Sequence, residues 1–125
     1  MPKAPRTELG DVFEALKRML KSYERRFRVS KDEPGRYYLE TKTTTYKGRP
    51  IFVVGVVINK NYVSYHFMPI YIASRGLRIS AALKRRMQGK ACFNFTRVDH
   101  PLFRELALLT RKGIAAFKDF AARKA

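Results

Sequence analysis

Two helical patterns of apolar residues enclose a long stretch of alternating ones, and this order of periodicities restricts the fold more than any other feature. Near the N-terminus, apolar residues follow the i, i+3, i+4, i+7 spacing of a helix that buries one face. They are Leu9, Val12, Phe13, Leu16, Met19, Leu20 and Tyr23. The same spacing returns near the C-terminus at Leu102, Phe103, Leu106, Leu109, Ile114, Phe117 and Phe120. The spacing predicts helices over residues 8–25 and 100–122.

The residues between these helices are typical of β-strands separated by turns. The segment from Ile51 to Ile58 is apolar on both faces, which predicts a central strand. The segment from Tyr62 to Met68 alternates in polarity and predicts its hairpin partner. Ser80 predicts the N-cap of a short helix over residues 80–88, which Gly89 ends. Further extended segments are predicted at residues 27–30, 36–42, 70–73 and 91–96.

These elements together predict an α+β domain. Its antiparallel sheet has four to six strands, and it carries an N-terminal amphipathic helix, a C-terminal amphipathic helix and one short helix. A length of 125 residues fits a single domain. We expect that domain to cover residues 8–125 and residues 1–7, which contain two prolines, to be a disordered lead.

Composition indicates a folded chain without a membrane segment. Hydrophobic residues make up 46% and charged residues 30% of the sequence, which argues against intrinsic disorder. The longest apolar run, Ile51 to Ile58, is much shorter than the roughly 20 residues of a membrane span. The first residues lack the apolar region of a secretory signal. Because Cys92 is the single cysteine, no intramolecular disulfide forms, which fits a reducing compartment. We therefore expect a cytoplasmic protein with no membrane partner.

The charge distribution is the sharpest indication of a partner. Lys and Arg outnumber Asp and Glu by 27 to 10, which gives a net charge of +17. Residues 41–98 contain no Asp or Glu at all. The densest basic cluster consists of Lys84, Arg85, Arg86 and Lys90. Such a field attracts polyanions, so these four residues are predicted to bind nucleic acid or another polyanion. The alternative is a solvated surface whose charge serves solubility alone.

A second candidate site combines polar residues of two predicted strands. Alternation places Tyr62, Ser64 and His66 on one face of one strand. It places Cys92 and Asn94 on one face of another. If the two strands are neighbours, these five residues form a small-ligand pocket on the sheet. The alternative is that Cys92 is a small buried hydrophobic residue and His66 a half-buried strand residue.

The sequence gives no catalytic constellation. A Cys–His pair is nucleophilic only where the sulfur lies within hydrogen-bond reach of the ring and a third group orients that ring. Sequence spacing does not show such an arrangement for Cys92 and His66. We therefore predict no enzyme activity, no catalytic residue and no cofactor.

Three stretches of the chain resemble a known family. The first is Tyr46-Lys47-Gly48-Arg49-Pro50 running into Ile51-Phe52-Val53-Val54-Gly55, and the second is Tyr62-Val63-Ser64-Tyr65-His66-Phe67-Met68-Pro69. The third is Gly89-Lys90-Ala91-Cys92-Phe93-Asn94-Phe95, followed by an acidic turn and Pro101-Leu102. In their order and spacing they resemble the YdhG-like family of small bacterial domains of unknown function, over roughly residues 8–120. The resemblance implies an α+β fold with a curved antiparallel sheet and flanking helices.

The resemblance also raises a metal-binding alternative, because some members of that family are described as frataxin-related iron chaperones. Carboxylate oxygens are the ligands that hard ions prefer. The candidate ligands are Glu8, Asp11 and Glu14 on the first helix, although their spacing does not form a tight ridge. For oligomeric state, we expect a monomer or a weak homodimer, since many cations discourage pairing of sheet edges.

Overall fold

Short turns join the first four strands of the sheet, whereas a longer segment with two short helices separates the fourth strand from the fifth. The computed structural model describes residues 6–72 and 77–124. The five strands are β1 (Phe27–Glu33), β2 (Arg36–Tyr46), β3 (Arg49–Ile58), β4 (Val63–Phe67) and β5 (Cys92–Phe95). They pair antiparallel in the order β1-β2-β3-β4-β5. The predicted α+β class with an antiparallel sheet is confirmed.

Within the described residues, four α-helices and one 3₁₀ helix accompany this sheet. They are α1 (Arg6–Leu20), the 3₁₀ helix (Lys21–Arg25), α2 (Met68–Ile72), α3 (Ala81–Lys84) and α4 (His100–Lys124). α1 packs on β3 and β4, while α2 and α3 pack on α4. α4 reaches the sheet through Phe103, whose ring meets that of Phe95 edge to face at a centroid distance of 4.9 Å.

The core lies between the helices and one face of the sheet. Alternate strand residues point inward there and are buried. These residues include Tyr37, Leu39, Val54, Val56, Val63, Tyr65, Phe67, Phe93 and Phe95. We call the opposite side of the sheet the outer face. Its side chains are mostly half-buried, among them Tyr38, Glu40, Phe52, Val57, His66, Cys92 and Asn94.

Local capping signals begin two of the helices where the sequence predicts. The Ser80 side chain accepts a hydrogen bond from the Leu83 backbone N–H at 3.1 Å and so caps α3. The Asp99 carboxylate accepts one from the Leu102 backbone N–H at 3.1 Å and caps α4. Glu105 of α4 in turn accepts hydrogen bonds from the Ser80 backbone N–H and hydroxyl, which fixes α3 against α4.

The predicted short helix over residues 80–88 is wrong in its second half, because α3 ends at Lys84. Beyond it, the backbone pairs with the outer edge of β5. The Asn94 N–H donates to the Arg86 carbonyl at 2.8 Å, and the Gln88 N–H donates to the Cys92 carbonyl at 2.9 Å. Met87 forms an isolated bridge with Phe93. This pairing competes with helix continuation and covers an edge that would otherwise be open.

The predicted extended segment at residues 70–73 is also wrong where the structure describes it. Residues 68–72 form α2, and residue 73 lies outside the described residues. Pro69 occupies the first turn of this helix, where its missing N–H costs no helical hydrogen bond. A proline after a strand therefore starts a helix here.

The first two strands are longer than predicted, and the first helix is divided. β1 continues to Glu33 and β2 continues to Tyr46, which leaves only Lys47 and Gly48 as the turn before β3. Lys47 and Gly48 both have positive φ, 53° and 78°, as a tight hairpin turn requires. α1 begins at Arg6, inside the predicted lead 1–7, of which residues 1–5 lie outside the described residues. Among the described helices, none is long and apolar enough to cross a membrane.

Candidate functional site

The four cations of the predicted basic cluster lie along the covered edge of β5. Lys84 is the last residue of α3, and Arg85 and Arg86 follow it in the segment that pairs with β5. Lys84 and Arg85 are exposed, and Arg86 is half-buried. Lys90 is exposed in the turn that leads into β5. The structure therefore divides the cluster into two parts, one beside α3 and one at the start of β5.

A second basic surface, which sequence reasoning did not single out, is the hairpin between β2 and β3. We call residues 42–50 the basic arm. Its Tyr46 side chain is 67% exposed, and the ammonium of Lys47 lies 5.5 Å from the centre of that ring. Arg49 is exposed beside them. The β3 residues before Val54 have no partner in β4, so the arm extends past β4.

A matching aromatic–cation pair lies at the same end of the sheet as the basic arm. Tyr71 of α2 is 62% exposed, and the ammonium of Lys90 lies 6.0 Å from its ring centre. α2 follows the end of β4, and Lys90 precedes the start of β5. Because β4 and β5 are antiparallel, these two strand ends meet at one end of the sheet. A Tyr–Lys–Gly–Arg turn between two long strands is the signal from which the exposed arm could have been predicted.

Within the described residues, five carboxylates are engaged with other groups of the chain. Asp32 forms an ion pair with Lys17, with a distance of 2.7 Å between its Oδ1 and Nζ. Glu24 accepts a hydrogen bond from the Tyr37 hydroxyl, and the Glu40 Oε1 lies 2.6 Å from the Arg28 guanidinium. Asp99 and Glu105 cap or hold helices, as described above. Among the described residues, none of the cations in the acid-free stretch joins a salt bridge.

The outer face contains a row of residues that crosses four strands. Tyr38 of β2 is opposite Gly55 of β3, Gly55 is opposite His66 of β4, and His66 is opposite Cys92 of β5. Residues directly opposite in antiparallel strands project from the same face. The structure therefore makes His66 and Cys92 neighbours, which spacing in the sequence could not show.

A cavity of about 340 Å³ lies over this row, and we call it the outer-face cavity. It is lined by Tyr38, Phe52, His66, Phe67, Met68, Ala91 and Cys92. Of the five residues predicted to form a small-ligand pocket, only His66 and Cys92 line it. Tyr62 precedes β4, and its carbonyl accepts a hydrogen bond from the Asn59 N–H at 2.8 Å. The sequence also allows Tyr38 as a further member of that pocket, and it does line the cavity, whereas Phe52 was not among the predicted site residues.

Ser64 and Asn94 instead belong to a chain of hydrogen bonds beside the cavity. They are opposite each other in β4 and β5, and the Ser64 hydroxyl donates to the Asn94 Oδ1 at 2.8 Å. The amide of Asn59 donates to the Ser64 Oγ at 2.8 Å, and the amide of Asn94 donates to the Gln88 Oε1 at 2.7 Å. The Cys92 thiol lies 3.5 Å from the Asn94 Oδ1. These mutual contacts hold the β5 edge in place.

Burial keeps the imidazole and the thiol of the outer face uncharged. It lowers the pKa of His66 and raises the pKa of Cys92, because a low-dielectric environment disfavours the charged form of each group. A nucleophilic cysteine needs the opposite, a thiolate stabilised by a cation or a helix N-terminus. The arrangement suits the binding of a neutral ligand better than nucleophilic attack.

The structure does not bring the alternative metal ligands together. Glu8, Asp11 and Glu14 lie on α1, with Asp11 and Glu14 exposed. Within residues 6–72 and 77–124, no three His, Cys, Asp or Glu side chains are grouped as metal ligands.

Comparison of the chain with known proteins gives no match to a family model, to a curated protein or to a solved structure. The resemblance to the YdhG-like family stays a prediction. A function is therefore inferred from the surfaces and the cavity described above.

Proposed function

We propose that the protein is a non-enzymatic binding domain for a polyanion, and that nucleic acid is the polyanion it binds. The observation that carries the proposal is the separation of charge. In the acid-free stretch from residue 41 to residue 98, the described cations include those of the basic arm, Lys90 at the same end of the sheet, and Lys84, Arg85 and Arg86 beside the β5 edge. Among the described residues, none of its cations pairs with a carboxylate of the chain, although the Lys42 ammonium donates to the Arg25 carbonyl at 3.0 Å. Each phosphate contact releases counterions, so binding to this surface depends steeply on salt.

The two exposed tyrosines extend the proposal from polyanions in general to nucleic acid. Tyr is among the side chains that are enriched at interfaces. Tyr46 and Tyr71 each have a lysine ammonium close to the ring, at 5.5 and 6.0 Å. This combination offers a ring on which a base stacks and a cation for the adjoining phosphate. A polyanion without bases, such as heparin, would use only the cations.

Fluorescence anisotropy with labelled oligonucleotides tests the proposal. Binding is measured at about 50 and 200 mM salt, where several phosphate contacts change affinity by orders of magnitude. Two variants remove predicted contacts. One is Lys84→Ala, Arg85→Ala and Arg86→Ala together, and the other is Tyr46→Ala with Lys47→Ala. A matched control removes three exposed cations of α4 by Arg104→Ala, Arg111→Ala and Lys112→Ala.

The expected result is tighter binding to nucleic acid than to heparin at equal charge, weakened by both site variants and little changed by the control. Loss of binding that depends only on how many cations are removed contradicts the proposal. In that case, the charge of +17 is a general surface property.

A further inference from the structure

We propose that the outer-face cavity receives one unstacked nucleobase, so that the nucleic acid held by the basic arm is a single strand. The inference rests on the proposed function and adds that the nucleic acid is bound as a single strand and not as a duplex. Four observations support it: the size of the cavity, its aromatic walls, an imidazole that has no side-chain partner among the described residues, and its place beside the cations.

The size of the cavity favours one small ring system. Its volume of about 340 Å³ lies at the lower end of the range for small-molecule sites, roughly 300–1,000 Å³. A base within a duplex is stacked on both sides and paired at its edge, and it cannot enter a cavity without leaving the helix. In a single strand, a base can enter the cavity without breaking base pairs.

The walls of the cavity are suited to stacking. The rings of Tyr38 and Phe52 meet at 87° with their centroids 5.5 Å apart. Both rings cover Gly55, where a Cβ atom would lie 2.6 Å from Tyr38 Cδ1 and 2.8 Å from Phe52 Cζ. Glycine at this position therefore allows the rings to rest on the strand backbone. Bases of any identity stack on aromatic rings of this kind.

The polar side of the cavity suits the edge of a base. His66 lines the cavity and makes no side-chain hydrogen bond with any other described residue. A neutral imidazole carries one donor nitrogen and one acceptor nitrogen. Cys92 faces it from the neighbouring strand, and burial raises the pKa of this thiol, which keeps it uncharged. A base edge, which also alternates donors and acceptors, complements this nitrogen pair.

The cavity adjoins the cations that would hold the sugar–phosphate backbone. It is lined by Ala91, which follows Lys90 in the chain, and by Met68, the first residue of α2. The ammonium of Lys90 lies over the ring of Tyr71, which belongs to α2. A single-stranded nucleic acid whose base occupies the cavity thus passes Lys90. This lysine lies at the end of the sheet from which the basic arm extends.

The experiment compares a labelled single strand of about ten nucleotides with the duplex of the same sequence. Phe52→Leu removes the aromatic wall and keeps an apolar side chain, and Phe52→Tyr keeps the ring. Leu108→Ala, on the exposed side of α4, is the matched control. Adenosine, which has no phosphate, is titrated separately while NMR follows the Met68 methyl group and the His66 ring.

The expected result is tighter binding of the single strand than of the duplex. Phe52→Leu should weaken single-strand binding by about 5- to 100-fold, the effect of losing one stacked base, without changing the slope of affinity against salt. Phe52→Tyr and Leu108→Ala should bind as the unmodified protein does. Adenosine should shift the signals of Met68 and His66.

Two different results overturn the two proposals separately. If the oligonucleotides bind but adenosine leaves Met68 and His66 unchanged and Phe52→Leu has no effect, the base site is wrong and the polyanion surface stands. If no oligonucleotide binds at either salt concentration, the proposed function is wrong together with the single-strand ligand, whatever adenosine does.

Discussion

At the scale of single residues, one buried hydroxyl pair joins α4 to the sheet. The Thr110 hydroxyl donates its one proton to the Leu106 carbonyl at 2.7 Å, so the Tyr65 hydroxyl, 2.6 Å away, must donate to Thr110. Thr110→Val removes the acceptor and leaves the buried Tyr65 hydroxyl without a partner, which should cost about 1–3 kcal/mol. Tyr65→Phe leaves the Thr110 donor satisfied and should cost less. Urea unfolding of both variants measures the difference, and equal losses would contradict this direction of donation.

Two helical glycines should respond in opposite ways to the same substitution. At Gly113 of α4, a Cβ atom would lie 2.5 and 2.6 Å from ring atoms of the buried Phe67, whereas at Gly10 of α1 no atom lies within 4 Å. Alanine gains about 1 kcal/mol of helix propensity at either position. We expect Gly10→Ala to stabilise the protein by up to that amount and Gly113→Ala to destabilise it by about 1–3 kcal/mol, because the core is overpacked. The melting temperatures of the two variants test this expectation. If both substitutions raise the melting temperature, the ring of Phe67 has room to move.

At the scale of elements, α1 and the 3₁₀ helix are tied to the first hairpin by polar contacts. Lys17 pairs with Asp32 of β1, and a hydrogen bond from Lys17 lowers the pKa of the Asp32 carboxyl. A carboxyl whose pKa is lower in the folded state stabilises the fold above its unfolded value, about 3.9, and loses that contribution as pH falls further. Asp32→Asn should therefore be less stable than the unmodified protein at pH 7, with a difference that shrinks below about pH 4. Urea unfolding at pH 7 and pH 3 tests this, and an unchanged difference would rule out the ion pair as its cause.

Local signals predicted the elements that depend on local chemistry. Apolar periodicity predicted the two end helices, and the Ser80 side chain caps α3 as the sequence predicts. The short helix α3 ends at Lys84, earlier than predicted, because Met87 and its neighbours pair with β5. No local pattern in the sequence reveals this contact between two segments. Strand register, which local patterns also do not reveal, decides which side chains line the outer-face cavity. Simple alternation places Phe52 on the face of Val54 and Val56, but the register shift between β2 and β3 aligns it with Glu40 on the outer face.

At the scale of the whole molecule, self-repulsion of the net charge of +17 should outweigh the three surface ion pairs of the described residues. Ion pairs near the surface contribute little and weaken with salt, whereas repulsion among the excess cations is relieved by salt. Raising the salt concentration from about 10 to 150 mM shortens the screening length from roughly 30 to 8 Å. We therefore expect the melting temperature at pH 7 to rise over this range. It should rise further with a single-stranded oligonucleotide at low salt, because a ligand that binds only the folded state stabilises it. Calorimetry measures both effects, and a melting temperature that falls with salt would show that the ion pairs dominate.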